Sequence, residues 1–239
     1  MKNIPNLITS LNLAAGFLAV LFASRGNIVA ASWIIVAAML FDFLDGLSAR
    51  MLKAYSDFGK ELDSLSDMVS FGVAPALIMY KLIEGSSLLA VTDAAANRDA
   101  LVTLLTYTTI IMPVCAGLRL AKFNIDLSQA TSFRGLPTPA CALAVISLVI
   151  AEHYSQSPLA GSITASPAAL VIYTIILSLL MVTGIPMLSL KFANLSIKGN
   201  EGRYILALVV IAGFLIFGIG SAIMMIPLYI IISLLSRFF

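Results

Sequence analysis

Between Asp42 and Asp67 the chain reads DFLDGLSARMLKAYSDFGKELDSLSD, which gathers four carboxylates (Asp42, Asp45, Asp63, Asp67), one arginine (Arg50) and two glycines (Gly46, Gly59). Each charge in a low-dielectric setting costs several kcal/mol unless something compensates it. Arg50, Lys53 and Lys60 are the only cations nearby, too few for the acids of this stretch. Hard divalent cations (Mg²⁺, Mn²⁺ or Ca²⁺) take all-oxygen ligand sets, and four aspartates match two such ions with bridging carboxylates. Solvated or salt-bridged loop ends explain Asp57 and Glu61, but not Asp42 and Asp45, which follow the apolar run Met39-Leu40-Phe41. Gly46 and Ala49 leave a groove beside the acids, although glycine can also serve close helix packing. The planar fork of Arg50 suits a phosphate. Metals, arginine and groove together read as a nucleotide-diphosphate site.

Two helices must position these groups. At 100° per residue, Asp42, Asp45, Gly46, Ala49 and Arg50 share an arc of about 140°. Gly59, Asp63, Ser66, Asp67 and Ser70 share one of about 100°. Two neighbouring helices joined by a short loop therefore aim two carboxylates each at a common point. On the first helix Asn6, Thr9, Asn12 and Gly16 form a stripe about 120° wide. It reads either as interhelical hydrogen bonding or, at Asn6 and Thr9, as amide and hydroxyl groups that read a base edge.

The rest of the chain is scaffold. Of its 239 residues 60% are hydrophobic and 11% charged, with a mean hydropathy of +1.03. Soluble domains carry about a quarter charged residues, so an all-α polytopic membrane protein is expected; the apolar runs lack the period-two alternation of an outer-membrane barrel. A span needs about 20 apolar residues. Eight candidates follow: Ile4–Ser24, Ile28–Arg50, Asp63–Leu89, Ala100–Leu120, Pro137–Tyr154, Ala168–Met187, Tyr204–Gly218 and Ile219–Leu235, the last two divided by a turn at Gly218-Ile219-Gly220. With the N-terminus inside, Lys2, Arg50, Lys53, Lys60, Arg119, Lys122, Arg134, Lys191, Lys198, Arg203 and Arg237 fall on the cytoplasmic side. Arg25, Lys81 and Arg98 fall outside, so the positive-inside rule supports both termini inside and the acidic stretch at the cytoplasmic face. The first helix is expected to be retained rather than cleaved, because Pro5, Asn6, Thr9 and Asn12 interrupt its apolar run. Cys115 and Cys141 lie in apolar runs and read as packing residues, and His153 as a structural or interfacial one. No repeat or soluble segment interrupts the chain, which is expected to be a single integral membrane catalytic domain over 1–239 in the cell (inner) membrane, with no nucleic-acid partner.

As a pattern the acidic stretch is D-x2-D-G-x2-A-R-x8-G-x3-D-x3-D, and every fixed position matches the signature of the CDP-alcohol phosphotransferase family, which this chain resembles. The resemblance implies that family's fold and a membrane enzyme that displaces CMP from a CDP-linked donor by an acceptor hydroxyl, with divalent metal. Carried over by position, Asp42, Asp45, Asp63 and Asp67 would ligate two Mg²⁺ or Mn²⁺ ions, Ca²⁺ being a non-productive occupant. Asp67 would also be the general base. Gly46 and Ala49 would border the cytidine or ribose, Arg50 would contact the diphosphate, and Gly59 would sit close to the nucleotide. With Asn6 and Thr9, these complete the expected CDP-binding set. The family's habit also implies a homodimer.

Two further stretches bear on the acceptor: Gly117-Leu118-Arg119-Leu120-Ala121-Lys122-Phe123-Asn124, and Phe133-Arg134-Gly135-Leu136-Pro137-Thr138-Pro139. They resemble the RLA[RK]FN and F-x-GLP-x-P elements of the family members that use serine, with Lys122 where arginine is common. A carboxylate acceptor needs a cation, which Arg119, Lys122 or Arg134 supplies, and its ammonium needs an acceptor such as Asn124. The same cations also read as inside-positive anchors that bind anionic lipid. The resemblance implies CDP-diacylglycerol and L-serine as substrates among membrane lipids, with phosphatidylserine and CMP as products. Glycerol 3-phosphate as acceptor is the alternative within the family. Ion or solute transport is the alternative outside it, disfavoured because the acids cluster at one membrane side without a second repeat.

Overall fold

The computed structural model describes residues 3–86, 103–125, 133–155, 157–188 and 200–235, and almost all of them are helical. Helix α1 (Ile4–Ser24) has the expected bounds. Pro5 occupies its first turn, where a missing N–H breaks no intrahelical bond. Helix α2 (Ile28–Met51) follows a tight turn through Gly26, whose φ is +82°, and Asn27 caps it by accepting the Ala30 N–H at 3.1 Å. Helix α3 (Asp57–Gly85) is one span of 29 residues, with an internal π-helical turn over Met68–Val73. It starts before the expected Asp63, because Ser56 accepts the Gly59 N–H at 3.0 Å and Asp57 favours the first turn. Gly59 therefore sits in the first turn of the helix, on the arc it was expected to share with Asp63.

Helices α4 (Thr103–Ile125) and α5 (Thr138–Ser155) complete the core. Of the apolar window of α5, 61% is buried, against 28% for α1 and α2, so α5 lies at the centre. After it come α6 (Pro158–Ala165) and α7 (Pro167–Val182), bent by 98° to one another. The last apolar stretch holds α8 (Glu201–Phe217), a 3₁₀ segment (Gly218–Met224) and α9 (Met225–Leu235).

Two-residue strands β1 (Phe133–Arg134) and β2 (Pro186–Met187) pair antiparallel and clip together the segments that lead into α5 and out of α7. Gly135, at φ +75°, donates its N–H to Ile185 O at 2.8 Å, and Leu136 donates to Leu180 O at 2.8 Å. The Gly135-Leu136-Pro137 turn thereby satisfies carbonyls at the C-terminal end of α7 that lack helical partners.

Six helices among the described residues are long and apolar enough to span a bilayer, or seven if α6 and α7 form one broken span, not the eight expected. The difference lies in Glu201–Leu235, which counts as one stretch. Within it Gly218 has φ +61°, and a Cβ on Gly213 would lie 3.4 Å from that of Ser221, so the chain folds back there. Lys2, Arg98, Lys191, Lys198 and Arg237, used above to orient the chain, lie outside the described residues. At the end of the bundle away from Asp42, Trp33 Nε1 donates to Tyr154 Oη at 3.2 Å. The His153 ring stands edge-on to Tyr154, 4.7 Å between centroids. Cys115 and Cys141 are free and buried.

Candidate active site

Asp42 and Asp45 project from the second half of α2, and Asp63 and Asp67 from the first half of α3. The four-residue spacing within α3 places Asp63 and Asp67 on one face, one turn apart. The structure brings Asp42, Asp63 and Asp67 together: a carboxylate oxygen from each lies within 4.8 Å of the others. Asp45 is outside that triad but within electrostatic reach of all three of its members.

Among the described residues none of the four carboxylates forms an ion pair. Asp45 Oδ2 and Asp63 Oδ1 are buried with no hydrogen-bond partner. Two carboxylates 4.8 Å apart repel by about 3 kcal/mol at an effective dielectric of about 20. Such a cluster of bare hard oxygens is what a divalent cation requires, and the residues present fit one. Arg119 on α4 is half-buried and within electrostatic reach of Asp67. Its Nε is buried without a partner.

Beside the acids lies a cavity of about 240 Å³, lined by Pro5, Asn6, Thr9, Asp45, Gly46, Ala49, Arg50, Ala54, Tyr55, Ser56, Gly59, Lys60 and Asp63. All six positions expected to contact the CDP group are on this wall, together with two of the four aspartates. The small residues create the space. A Cβ on Gly59 would come within 3.0 Å of Asn6 Oδ1 and of Ser56 Oγ. Gly46 leaves room for the guanidinium of Arg50, whose Nε donates to Gly46 O at 3.1 Å.

The polar stripe of α1 faces α3. Ser66 donates to Thr9 O at 3.1 Å and Ser70 to Asn12 O at 3.0 Å. A Cβ on Gly16 would lie 2.7 Å from Ser70 Cα, so a side chain there would part the two helices. The backbone of the stripe carries interhelical bonds, and Asn6 and Thr9 line the cavity.

The residues expected to bind the acceptor are brought together less completely. Arg119 points toward the acids, whereas Lys122 and Arg134 are exposed. Asn124 donates through Nδ2 to Ser64 at 2.9 Å and toward Glu61 at 3.4 Å, and its backbone carbonyl accepts from Lys60 at 2.8 Å. Its amide nitrogen therefore ties α4 to α3, and only Oδ1 remains for an ammonium group.

Sequence reading missed Tyr55, Ser56 and Lys60 on the cavity wall. Ser56 was detectable as a helix cap followed by an acid, whereas nothing marked Tyr55.

A sequence model of the CDP-alcohol phosphatidyltransferase family matches residues 2–232. The CDP-diacylglycerol–serine O-phosphatidyltransferase of Bacillus subtilis is 36% identical over 185 residues, 77% of this chain and 89% of that protein. The protein of the same name from Helicobacter pylori is 29% identical over 238 residues, 98% of this chain and 91% of that one. The archaetidylserine synthase of Methanothermobacter thermautotrophicus is 35% identical over 155 residues, 64% of this chain and 60% of that one.

Proposed function

Because this chain belongs to the CDP-alcohol phosphatidyltransferase family, we propose that it is a membrane enzyme that transfers the phosphatidyl group of CDP-diacylglycerol to the hydroxyl of L-serine, giving phosphatidylserine and CMP. The observation that carries this reading is the cavity beside the acids, walled by all six residues expected at the nucleotide. The acceptor follows from the names of the relatives and from the Arg119–Asn124 and Phe133–Pro139 elements.

In this reading Asp42, Asp45, Asp63 and Asp67 hold two divalent ions, Mg²⁺ or Mn²⁺, with Ca²⁺ a non-productive occupant. Bound there, the ions supply neutralisation of diphosphate charge and stabilisation of the CMP leaving group. Asn6, Thr9, Gly46, Ala49 and Gly59 seat the cytidine, and Arg50 grips the diphosphate through its planar fork. The serine hydroxyl oxygen attacks the lipid-side phosphorus, and the bond from that phosphorus to the bridging oxygen of CMP breaks. Asp67 accepts the hydroxyl proton. An aspartate is a weak base for an alcohol, so the proton moves late, as the new P–O bond forms. Arg119 holds the serine carboxylate near Asp67, with Lys122, Arg134 and Asn124 at the same end of the bundle.

The proposal includes one membrane catalytic domain over 1–239, an active site on the cytoplasmic side of the cell membrane, and a homodimer. Its test is incorporation of labelled serine into lipid by the purified protein with CDP-diacylglycerol and Mn²⁺. Label must appear in a serine phospholipid with equimolar CMP. Incorporation of glycerol 3-phosphate or inositol phosphate in its place would overturn the choice of acceptor.

A further inference from the structure

Asn12 has no place in the chemistry described so far, yet its position is the most constrained of any polar side chain on α1. It is fully buried, 0% exposed, one turn beyond Thr9. Its Nδ2 donates to Asp67 Oδ1 at 3.4 Å, while its own Oδ1 is buried with no partner. An orphaned buried acceptor is destabilising, and an apolar side chain of the same volume would avoid that loss. Stability therefore does not account for an asparagine here. Its backbone is pinned as well: Ser70 donates to Asn12 O, Ser66 donates to Thr9 O, and Gly16 lets α1 approach α3 closely enough for both bonds. The amide thus reaches Asp67 from a fixed base.

Asp67 needs such a fixture. Asp42 and Asp63 each bring a carboxylate oxygen within 4.8 Å of its own and repel it, and Arg119 lies within electrostatic reach of it. A neutral donor on one carboxylate oxygen holds the side chain in place without adding charge, and leaves the other oxygen free for chemistry. The same logic operates where an outer hydrogen bond orients a metal ligand, and loss of such a partner costs about 10- to 100-fold in activity or metal affinity.

We propose that Asn12 is a positioning residue for Asp67, fixing the orientation of the carboxylate that takes the acceptor's proton. The proposal rests on the assignment of Asp67 as general base. Asn12→Leu keeps the branching at Cγ and removes the donor, and Ser70→Ala loosens the backbone that carries Asn12.

Steady-state CMP release is measured with CDP-diacylglycerol and serine on detergent-purified variants that match wild type in elution volume and melting transition, alongside Mn²⁺ binding by electron paramagnetic resonance. Asn12→Leu is expected to lower kcat by about 10- to 100-fold, with KM for both substrates within about threefold. Ser70→Ala should give a smaller loss in kcat alone, and Mn²⁺ affinity should fall in Asn12→Leu. A kcat within about threefold of wild type, or a loss confined to KM, would overturn the proposal. If Asn12→Leu does not fold, the kcat of Ser70→Ala decides in the same way. If Asp67→Asn retains wild-type kcat, the assignment of the base fails instead, so the two failures are distinguishable.

Discussion

The acidic cluster makes opposite predictions for the metal-free and the metal-loaded protein. Without ions, Asp42, Asp63 and Asp67 repel one another within 4.8 Å. Asp63→Asn should therefore raise the metal-free melting temperature, by about 2–4 °C for each kcal/mol of relieved repulsion, while removing the stabilisation that Mn²⁺ gives wild type. Differential scanning fluorimetry with and without Mn²⁺ checks both signs, and a lower metal-free melting point would contradict the account. Asp67→Asn removes the base and should reduce kcat by about 10²–10⁴-fold. Gly59→Ala tests the cavity wall. Its Cβ meets Asn6 Oδ1 and Ser56 Oγ at 3.0 Å, so Asn6 must shift, and KM for CDP-diacylglycerol should rise with kcat little changed. These four carboxylates were readable because charge inside an apolar helix demands a reason. Tyr55 and Lys60 were not, since an aromatic and a lysine near a membrane surface have ordinary explanations.

At the scale of elements, the packing of α1 on α3 sets the geometry of the site. Gly16→Ala would put a Cβ 2.7 Å from Ser70 Cα, and overpacking of this kind costs about 1–3 kcal/mol. The variant should lose activity together with thermal stability, in contrast to Asn12→Leu. Gly135→Ala faces two obstacles, φ +75° and a Cβ 2.5 Å from Met181 O. It should reduce the yield of folded protein, as seen by size-exclusion chromatography. Element existence was largely legible from apolar length: α1 runs Ile4–Ser24 as expected because Pro5 and Gly26 punctuate it. The span of α3 starts six residues before the expected Asp63 because Ser56 caps it and Asp57, read as a loop end, lies in its first turn. Helix α6 was missed although Ser157-Pro158 and Ser166-Pro167 each combine a capping serine with a first-turn proline, a pattern that marks helix starts. Its eight residues are too few to register as a span.

For the whole molecule, the central helix α5 is gripped by the elements that flank the site. The β1–β2 clip and the Gly135 turn fix its entry, while Tyr173 of α7 donates to Ala144 O at 3.0 Å. The C-terminal helix closes the same end, with Tyr229 donating to Leu188 O at 3.0 Å and Ser233 accepting from Leu188 N–H at 3.1 Å. The cavity lies between the first turns of α1 and α3 and the last turns of α2. The residues proposed for donor, metal and base could be named together because one local pattern holds them. The acceptor was harder to read, because a cation at a helix end serves topology as well as recognition, and packing alone separates half-buried Arg119 from exposed Lys122 and Arg134. The most direct measurement is therefore CMP release by the purified protein from CDP-diacylglycerol and Mn²⁺, with serine, glycerol 3-phosphate and inositol phosphate supplied in parallel. The account predicts release that depends on serine, is abolished by chelation and is matched by equimolar phosphatidylserine. Release driven by glycerol 3-phosphate or inositol phosphate, with serine inert, would contradict it.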